Sequence, residues 1–316
     1  MTEHQHWTAE QIPDQTGRIF VVTGANSGLG LATTRALARR GAHVVLAVRD
    51  EEKGRRAVAE LTARPSTTRQ PAARLEVRRL DLADLDSVRT FAHGLHADHG
   101  RLDVLVNNAG VMAPPRTLSA QGHELQFAAH HLGHFALTGL LLDLLAEGSD
   151  PRVVTVTSIN HRRGRIRFDD LDGRHRYAPM AFYNQSKLAN AVFGRQLHLR
   201  LTGAGSPVRS LLAHPGYSAT GIATGTPTAP YRLLFGRLAR PLAQAPARGA
   251  LPQLYAATEP DVPGGEFIGP DGFAELRGGP TRVQLSPAAA DPETGRRLWE
   301  LSEELTDVRY GLPAVA

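Results

Sequence analysis

The chain has no cysteine, only three methionines and few aromatics, which make up 6% of its 316 residues. The missing thiol excludes disulfides, thiolate nucleophiles and Cys-ligated metals together, while leaving the redox compartment open. No apolar run approaches the roughly 18 residues needed to cross a bilayer, so no membrane span is expected. Charge of one sign is also in short supply. The net charge of +5 comes from arginines scattered among aspartates and glutamates along the whole chain. The densest basic run, "HRRGRIR" at 161–167, holds no aromatic that could stack on a base. These charges read as solvated faces, and no nucleic-acid partner is expected. The start, "MTEHQHWTAEQIPDQTG", lacks the basic-then-apolar layout of a secretory signal, which leads to the expectation of a cytoplasmic protein.

What is present is an ordinary globular composition, 41% hydrophobic and 21% charged, on a chain long enough for one large α/β domain. Short β-branched runs recur, each followed by a helical period: "RIFVVTG", "HVVLAV", "RLEVRRL", "DVLVNN", "RVVTVTS" and "VRSLLAH". That alternation predicts a parallel sheet with helices on both faces, a doubly wound α/β fold. Helices are expected near 28–40, 50–62, 84–98, 121–146 and 181–201. Residues 1–16 read as an N-terminal extension, 17–316 as a single domain, and "ARPSTTRQPAA" at 63–73 as a surface loop. After about residue 216 the chain turns Pro- and Gly-rich with short helical pieces, among them "GALPQLYAATEP" and "GGEFIGPDGFAEL". The stretch at about 217–243 is expected to be a substrate lid, followed by a C-terminal tail.

Four features carry chemistry. After the first strand comes "TGANSGLG", with Gly24, Gly28 and Gly30 and then a helix. Glycines there permit a tight turn and close backbone approach, and the helix N-terminus offers free N–H groups to a pyrophosphate. The second strand ends in "AVRD". An acidic residue at that strand end would accept the ribose hydroxyl of NAD, but Arg49 stands there, and a guanidinium suits the 2′-phosphate of NADP. NADP(H) is therefore favoured over NAD(H), with Asp50 as the residue that would select NAD if Arg49 were only a surface charge. In "LDLAD" at 80–84, Asp81 follows the third strand where an adenine amino group could be bonded, and Asp84 suits a helix cap. Finally, in "AFYNQSKLANAVF" Tyr183 and Lys187 stand one turn apart on a helix, about 40° around the axis. A positive charge near a phenol favours the phenolate, so Lys187 is expected to lower the pKa of Tyr183 toward working pH, as a proton donor or acceptor requires. His130 and His134 share the spacing of zinc ligands on a helix, but without the glutamate of an H-E-x-x-H motif, and no metal site is expected.

Taken in order, Thr-Gly-x-x-x-Gly-x-Gly at 23–30, "NNAG" at 107–110, Ser158 closing the fifth strand, Tyr183-x-x-x-Lys187 and "HPG" at 214–216 resemble the short-chain dehydrogenase/reductase family. The similarity spans roughly 17–220, and "HLGHF" with "YNQSKLAN" looks most like its retinol-dehydrogenase-like branch. The resemblance implies a Rossmann-type single domain and an NAD(P)-dependent oxidoreductase that reduces a ketone or aldehyde to an alcohol, or the reverse, on a small, largely apolar substrate. It implies Tyr183 as acid/base, Lys187 supporting it and holding the nicotinamide ribose, and Ser158 positioning the carbonyl. By the same resemblance Gly24, Asn26, Ser27, Gly28, Leu29 and Gly30 line the pyrophosphate, Arg49 meets the 2′-phosphate, and Asp81, Leu82, Asn108, Ala109 and Gly110 border the adenosine half. Pro215, Gly216 and Thr220 border the nicotinamide. Relatives often pair through the helices near 121–146 and 181–201, which implies a homo-oligomer.

One position departs from the pattern. The family usually carries Asn at the first place of Asn-His-Leu-Gly-His-Phe, where this chain has His130. The imidazole is expected to fill the asparagine's space, to relay protons itself, or to impair turnover. Two other functions compete with the leading one: a nucleotide-binding sensor without turnover, which intact Ser158, Tyr183 and Lys187 disfavour, and an epimerase or dehydratase, which the glycine spacing disfavours.

Overall fold

The six β-branched runs form the six strands expected of them, since chains buried on both sheet faces are near-continuous in Val, Ile and Leu. They are β1 (Ile19–Thr23), β2 (His43–Val48), β3 (Arg74–Arg79), β4 (Val104–Asn107), β5 (Arg152–Val156) and β6 (Arg209–Ala213). The computed structural model describes residues 7–63, 73–218 and 243–315. Two further strands, β7 (Phe267–Pro270) and β8 (Pro280–Arg282), complete one sheet in the order β3-β2-β1-β4-β5-β6-β7-β8. All neighbours are parallel except β8, which runs against β7. Strand order reverses at β1, which pairs with both β2 and β4, and in such sheets a crevice opens there at the carboxyl ends of the strands.

Helices cover both faces. Leu37 of α1 (Gly28–Ala38), Ala57 of α2 (Glu51–Thr62) and Leu254 of a short C-terminal helix pack one side of the sheet. Phe91 of α3 (Leu85–Asp98), Phe135 and Phe193 pack the other. The helix expected as one piece at 121–146 is broken instead: α4 (Leu125–Phe127), a π-helical turn (Ala128–Leu132), α5 (Gly133–Leu140) and α6 (Leu142–Ala146). Gly133 explains why it can lie so close to the loop after β3, because a Cβ there would sit 2.2 Å from the carbonyl oxygen of Leu82. Next comes α7 (Pro179–Gly203), which carries Tyr183 and Lys187 and is buried on nearly every side. A helix covered all round shows little amphipathic character, and its apolar and polar residues alternate accordingly.

After β6 follow α8 (Pro246–Gly249), α9 (Leu251–Thr258), α10 (Pro287–Ala290) and α11 (Pro292–Thr306). The tail thus corrects the sequence reading twice. "EFIGP" pairs as a strand beside β6 where a helical piece was expected, and α11, which was not expected at all, lies on α7. Trp299 of α11 stacks on Phe193 with centroids 6.1 Å apart and lies 4.7 Å from Tyr310, while Arg200 sits 4.4 Å over the indole. Residues 7–16, expected as an extension, pack on the domain: Ile12 is buried in the core and Trp7 donates to Glu259 at 3.0 Å. No described helix is long and apolar enough to cross a membrane. The expected lid lies almost wholly outside the described residues, as does most of the 63–73 loop.

Candidate active site

The crevice between β1 and β4 begins with a turn that favours glycine. Gly24 has φ of +66° and Gly28 of +54°, the left-handed region that a side chain disfavours. At Gly30 a Cβ would sit 2.3 Å from the Gly24 carbonyl oxygen and 2.8 Å from Asn108 Nδ2, so the first turn of α1 presses directly on both strand ends. Ser27 is the N-cap of α1 but makes no side-chain cap bond, which leaves the first N–H groups of the helix to another partner. Asn26 and Leu29 flank this turn, the first half-buried and the second buried. An open glycine cradle at a helix N-terminus fits a dinucleotide's pyrophosphate.

The β4 end is stitched to β1. The Thr23 hydroxyl accepts from the backbone N–H groups of Asn108 and Ala109, both at 2.9 Å, and Asn108 Nδ2 donates to the Thr23 carbonyl at 2.7 Å. Gln253 of α9, which sequence reasoning missed, bonds Thr33 at 2.6 Å and Asn108 Oδ1 at 3.3 Å. It joins a helix read only as tail to the nucleotide turn, and no motif marks it. At the end of β2, Arg49 is exposed while Asp50 is engaged: its side chain caps α2 by accepting from Lys53 N at 3.1 Å. Asp81 accepts from Ala83 N at 3.0 Å in a local turn beside buried Leu82, and Asp84 caps α3.

The catalytic candidates meet where β5 ends. Ser158 opens the 3-10 turn Ile159–Arg163, and its carbonyl accepts from His161 Nδ1 at 2.8 Å, with His161 Nε2 accepting in turn from Ser286 N at 3.2 Å. The Tyr183 phenol lies near the Ser158 side chain, whose Oγ accepts from Asn160 N at 3.2 Å. One turn along α7, Lys187 Nζ donates to the Val156 carbonyl at 3.3 Å and lies 5.9 Å from the centre of the Tyr183 ring. Tyr183 is 7% exposed and Lys187 5%. Burial raises the pKa of Tyr183, and the nearby Ser158 side chain is what opposes it. Burial also lowers Lys187 to about 8. The expectation that the ammonium depresses the phenol is therefore corrected for the protein alone: desolvation outweighs any help from Lys187, whose amine points to a backbone carbonyl.

His130 sits in the π-helical turn with its ring edge-on to Tyr183, centroids 5.9 Å apart. Its Nε2 accepts from Val111 N–H at 2.8 Å, so in the neutral ring Nδ1 carries the hydrogen and donates to Ser186 Oγ at 2.8 Å. Ser186 passes its own hydrogen to the Tyr183 carbonyl, also at 2.8 Å. Full burial pushes the His130 pKa well below the usual histidine value, with the nearby Lys187 charge adding to the effect. Both nitrogens are thus satisfied by protein, which removes the basis of the proton-relay expectation. His134 is occupied as well, Nδ1 on the His130 carbonyl at 2.8 Å and Nε2 on Thr23 at 2.9 Å. The pair does not present two free nitrogens to one ion.

Past β6, His214 Nε2 donates to Glu275 at 2.9 Å, and Glu275 also holds Arg162 at 2.6 Å. Gly216 has φ of +61°, and a Cβ on it would sit 2.4 Å from the Leu276 carbonyl oxygen. Glu275 therefore ties the loop after β5 to the loop that carries Pro215 and Gly216, a role invisible in sequence because its partners are far away in the chain. Thr220 lies outside the described residues.

A profile of the short chain dehydrogenase family matches residues 18–229. The chain belongs to that family. A mouse protein named retinol dehydrogenase 12 is 40% identical over 304 residues, which are 96% of this chain and 90% of that one. Mouse polyprenol dehydrogenase is 40% identical over 308 residues, 95% and 87% of the two chains. Among solved structures, an uncharacterized protein from Mycobacterium paratuberculosis matches with a TM-score of 0.80 at 45% identity, covering 97% of this chain and all of that one. The retinol-dehydrogenase-like branch is thereby established. So is the broad activity, an NAD(P)-dependent dehydrogenase acting on CH–OH and C=O groups.

Proposed function

We propose that this short-chain dehydrogenase uses NADP(H) to interconvert a largely apolar ketone or aldehyde with its alcohol, with Tyr183 as the acid/base. The observation that carries the reading is the meeting of Ser158, at the open end of β5, with buried Tyr183 and Lys187 one turn apart on α7. Gly24, Ser27, Gly28, Leu29 and Gly30 would hold the pyrophosphate, Asn108, Ala109 and Gly110 the adenosine side, and Pro215 and Gly216 the nicotinamide side. The nicotinamide supplies or takes the hydride when bound. Tyr183, kept protonated by burial, gives its proton to the carbonyl oxygen during reduction, while Ser158 donates a hydrogen bond to the same oxygen. Lys187 places the positive charge that stabilises the phenolate left behind. His130 acts by position: it pins the β4 loop to α7 through Val111 and Ser186, and so fixes the helix turn from which Tyr183 projects.

NADP(H) is favoured because Arg49 is free at the β2 end while Asp50 is committed to the α2 cap. The apolar relatives retinol and polyprenol dehydrogenase support an apolar alcohol or aldehyde as substrate. Loss of NADPH absorbance is expected with long-chain or isoprenoid aldehydes and ketones, with NADH giving at least about tenfold lower kcat/KM, the effect of one charge-assisted hydrogen bond. No oxidation of NADPH with any carbonyl, together with tight NADPH binding, would point instead to a protein that binds the nucleotide without turnover.

A further inference from the structure

Opposite the catalytic edge, at the amino ends of the strands, three chemistry-bearing side chains converge that no part of the reaction uses. His43 opens β2, Glu76 lies on the edge strand β3, and His99 follows the last turn of α3. His43 Nε2 is 3.1 Å from Glu76 Oε2, His99 Nε2 is 3.5 Å from the same oxygen, and all three ligand atoms lie within 4.8 Å of one another. We propose that His43, Glu76 and His99 form a structural site for a divalent transition-metal ion of the zinc class. Zinc bonds of about 2.0–2.2 Å in tetrahedral array set ligand atoms about 3.4 Å apart, close to the spacing seen. Two imidazoles with one carboxylate suit a borderline metal, whereas calcium and magnesium prefer all-oxygen sets.

An independent observation points at a ligand. The His99 side chain is only 5% exposed, yet its Nε2, aimed into the cluster, makes no hydrogen bond. A buried nitrogen left unpaired is costly, and a metal ion would satisfy it. Glu76 is also held as an outer-shell partner would hold it: Arg78 bonds Oε1 and in turn pairs with Asp98 at 2.7 Å, which leaves Oε2 for one metal bond. The cation that a metal would displace is Arg74, whose exposed guanidinium lies 3.9 Å from Oε2. The partial exposure of Glu76 and His43 leaves an entry path and room for a water as fourth ligand. Such an ion would clamp the edge of the sheet to α3. The site departs from the expectation of no metal because its ligands share no local motif and only the fold brings them together.

Cobalt titration of the chelator-stripped full chain tests it. The expected result is the visible absorption of a four-coordinate cobalt site, saturating at one equivalent and bleached by zinc, with a rise in Tm of roughly 5 °C at a hundredfold excess of zinc over Kd. Glu76→Gln and His99→Gln should each weaken cobalt binding by at least about 10- to 100-fold without altering NADPH turnover. Replacing His4 and His6 by alanine should leave the signal intact. The proposal is overturned if the folded parent shows no such absorption and no zinc-dependent Tm. It is equally overturned if the signal goes with His4 and His6, or survives in folded Glu76→Gln. Should either variant fail to fold, the parent's stoichiometry and Tm shift decide the matter.

Discussion

Arg49 and Asp50 are neighbours with opposite consequences for the cofactor. Because Asp50 spends its carboxylate on the α2 cap, Arg49→Asp introduces the first free acidic group at the β2 end. The variant is expected to lose about 10- to 100-fold in kcat/KM with NADPH and to gain relative to NADH, the scale of one charge-assisted contact replaced by repulsion. An unchanged ratio of the two efficiencies would make Arg49 a bystander. At His130 the expected outcome of substitution is mild. Asn can still accept from Val111 N–H, so turnover of His130→Asn should stay within about tenfold of the parent, with the same pH profile. His130→Leu leaves Val111 N–H and Ser186 short of partners, which should cost about 1–3 kcal/mol in urea denaturation. An ionisation between pH about 6 and 7.5 that disappears in His130→Asn would restore the relay. Lys187, lowered to about 8, sets a pH limit of its own. It is charged below that value and neutral above it, so kcat/KM for NADPH, which reports the free enzyme, should fall above about pH 8. A profile flat to about pH 10 would contradict it. The residues of the site were legible because glycine, tyrosine, lysine and serine occur in a spaced order. Their electrostatics were not, since desolvation depends on the covering chain and a helical wheel shows none of it.

On the scale of elements, what the pattern could not reveal lies after β6. β7 is short and ends in Gly-Pro, and β8 is a three-residue edge strand opened by Pro280, so neither carries the periodicity by which strands are recognised. The π-helical turn is equally silent, because nothing in the residues Ala128–Leu132 marks it. The first six strands and α1, α2, α3 and α7 were legible, each having its own run of Val, Leu or Ile or its own cap. α11 earns its place by covering α7. Trp299→Ala removes a ring buried against Phe193, Phe135 and Tyr310, and should lower stability by about 3–5 kcal/mol in denaturant titration. A change under about 1 kcal/mol would mean that α11 is only loosely docked. The Glu275 bridge adds a pH dependence of known sign. Its carboxyl is lowered to about 2 by hydrogen bonds from His214 and Arg162, so its contribution is complete above the unfolded value near 4.5 and is lost as pH falls toward about 2. Glu275→Gln should flatten stability over that acid window, and an unchanged slope would remove the bridge.

For the whole molecule, the two helices through which the family resemblance implies pairing also make contacts within the chain. Both helices expected at the interface are covered by the chain itself: α11 lies on α7, and Tyr310 bonds the Phe135 carbonyl of α5 at 2.6 Å. One sheet edge, β3, is charged through Arg74, Glu76, Arg78 and Arg79, which discourages strand addition, and the other is the short β8. Large exposed apolar side chains among the described residues are Leu118, Phe273 and Leu276. If these internal contacts close both helices to a partner, sedimentation equilibrium at micromolar concentration should return the mass of a single chain, and a stable dimer would contradict that reading. The chemistry nonetheless converges on one hydroxyl. The most direct test compares NADPH oxidation by the parent and by Tyr183→Phe with an apolar aldehyde, alongside NADPH binding by fluorescence. The expected result is a loss of about 10²–10⁴ in kcat, the usual worth of a positioned acid/base, with NADPH affinity within about threefold because the ring remains. Turnover within about tenfold of the parent would contradict the assignment of the proton to Tyr183.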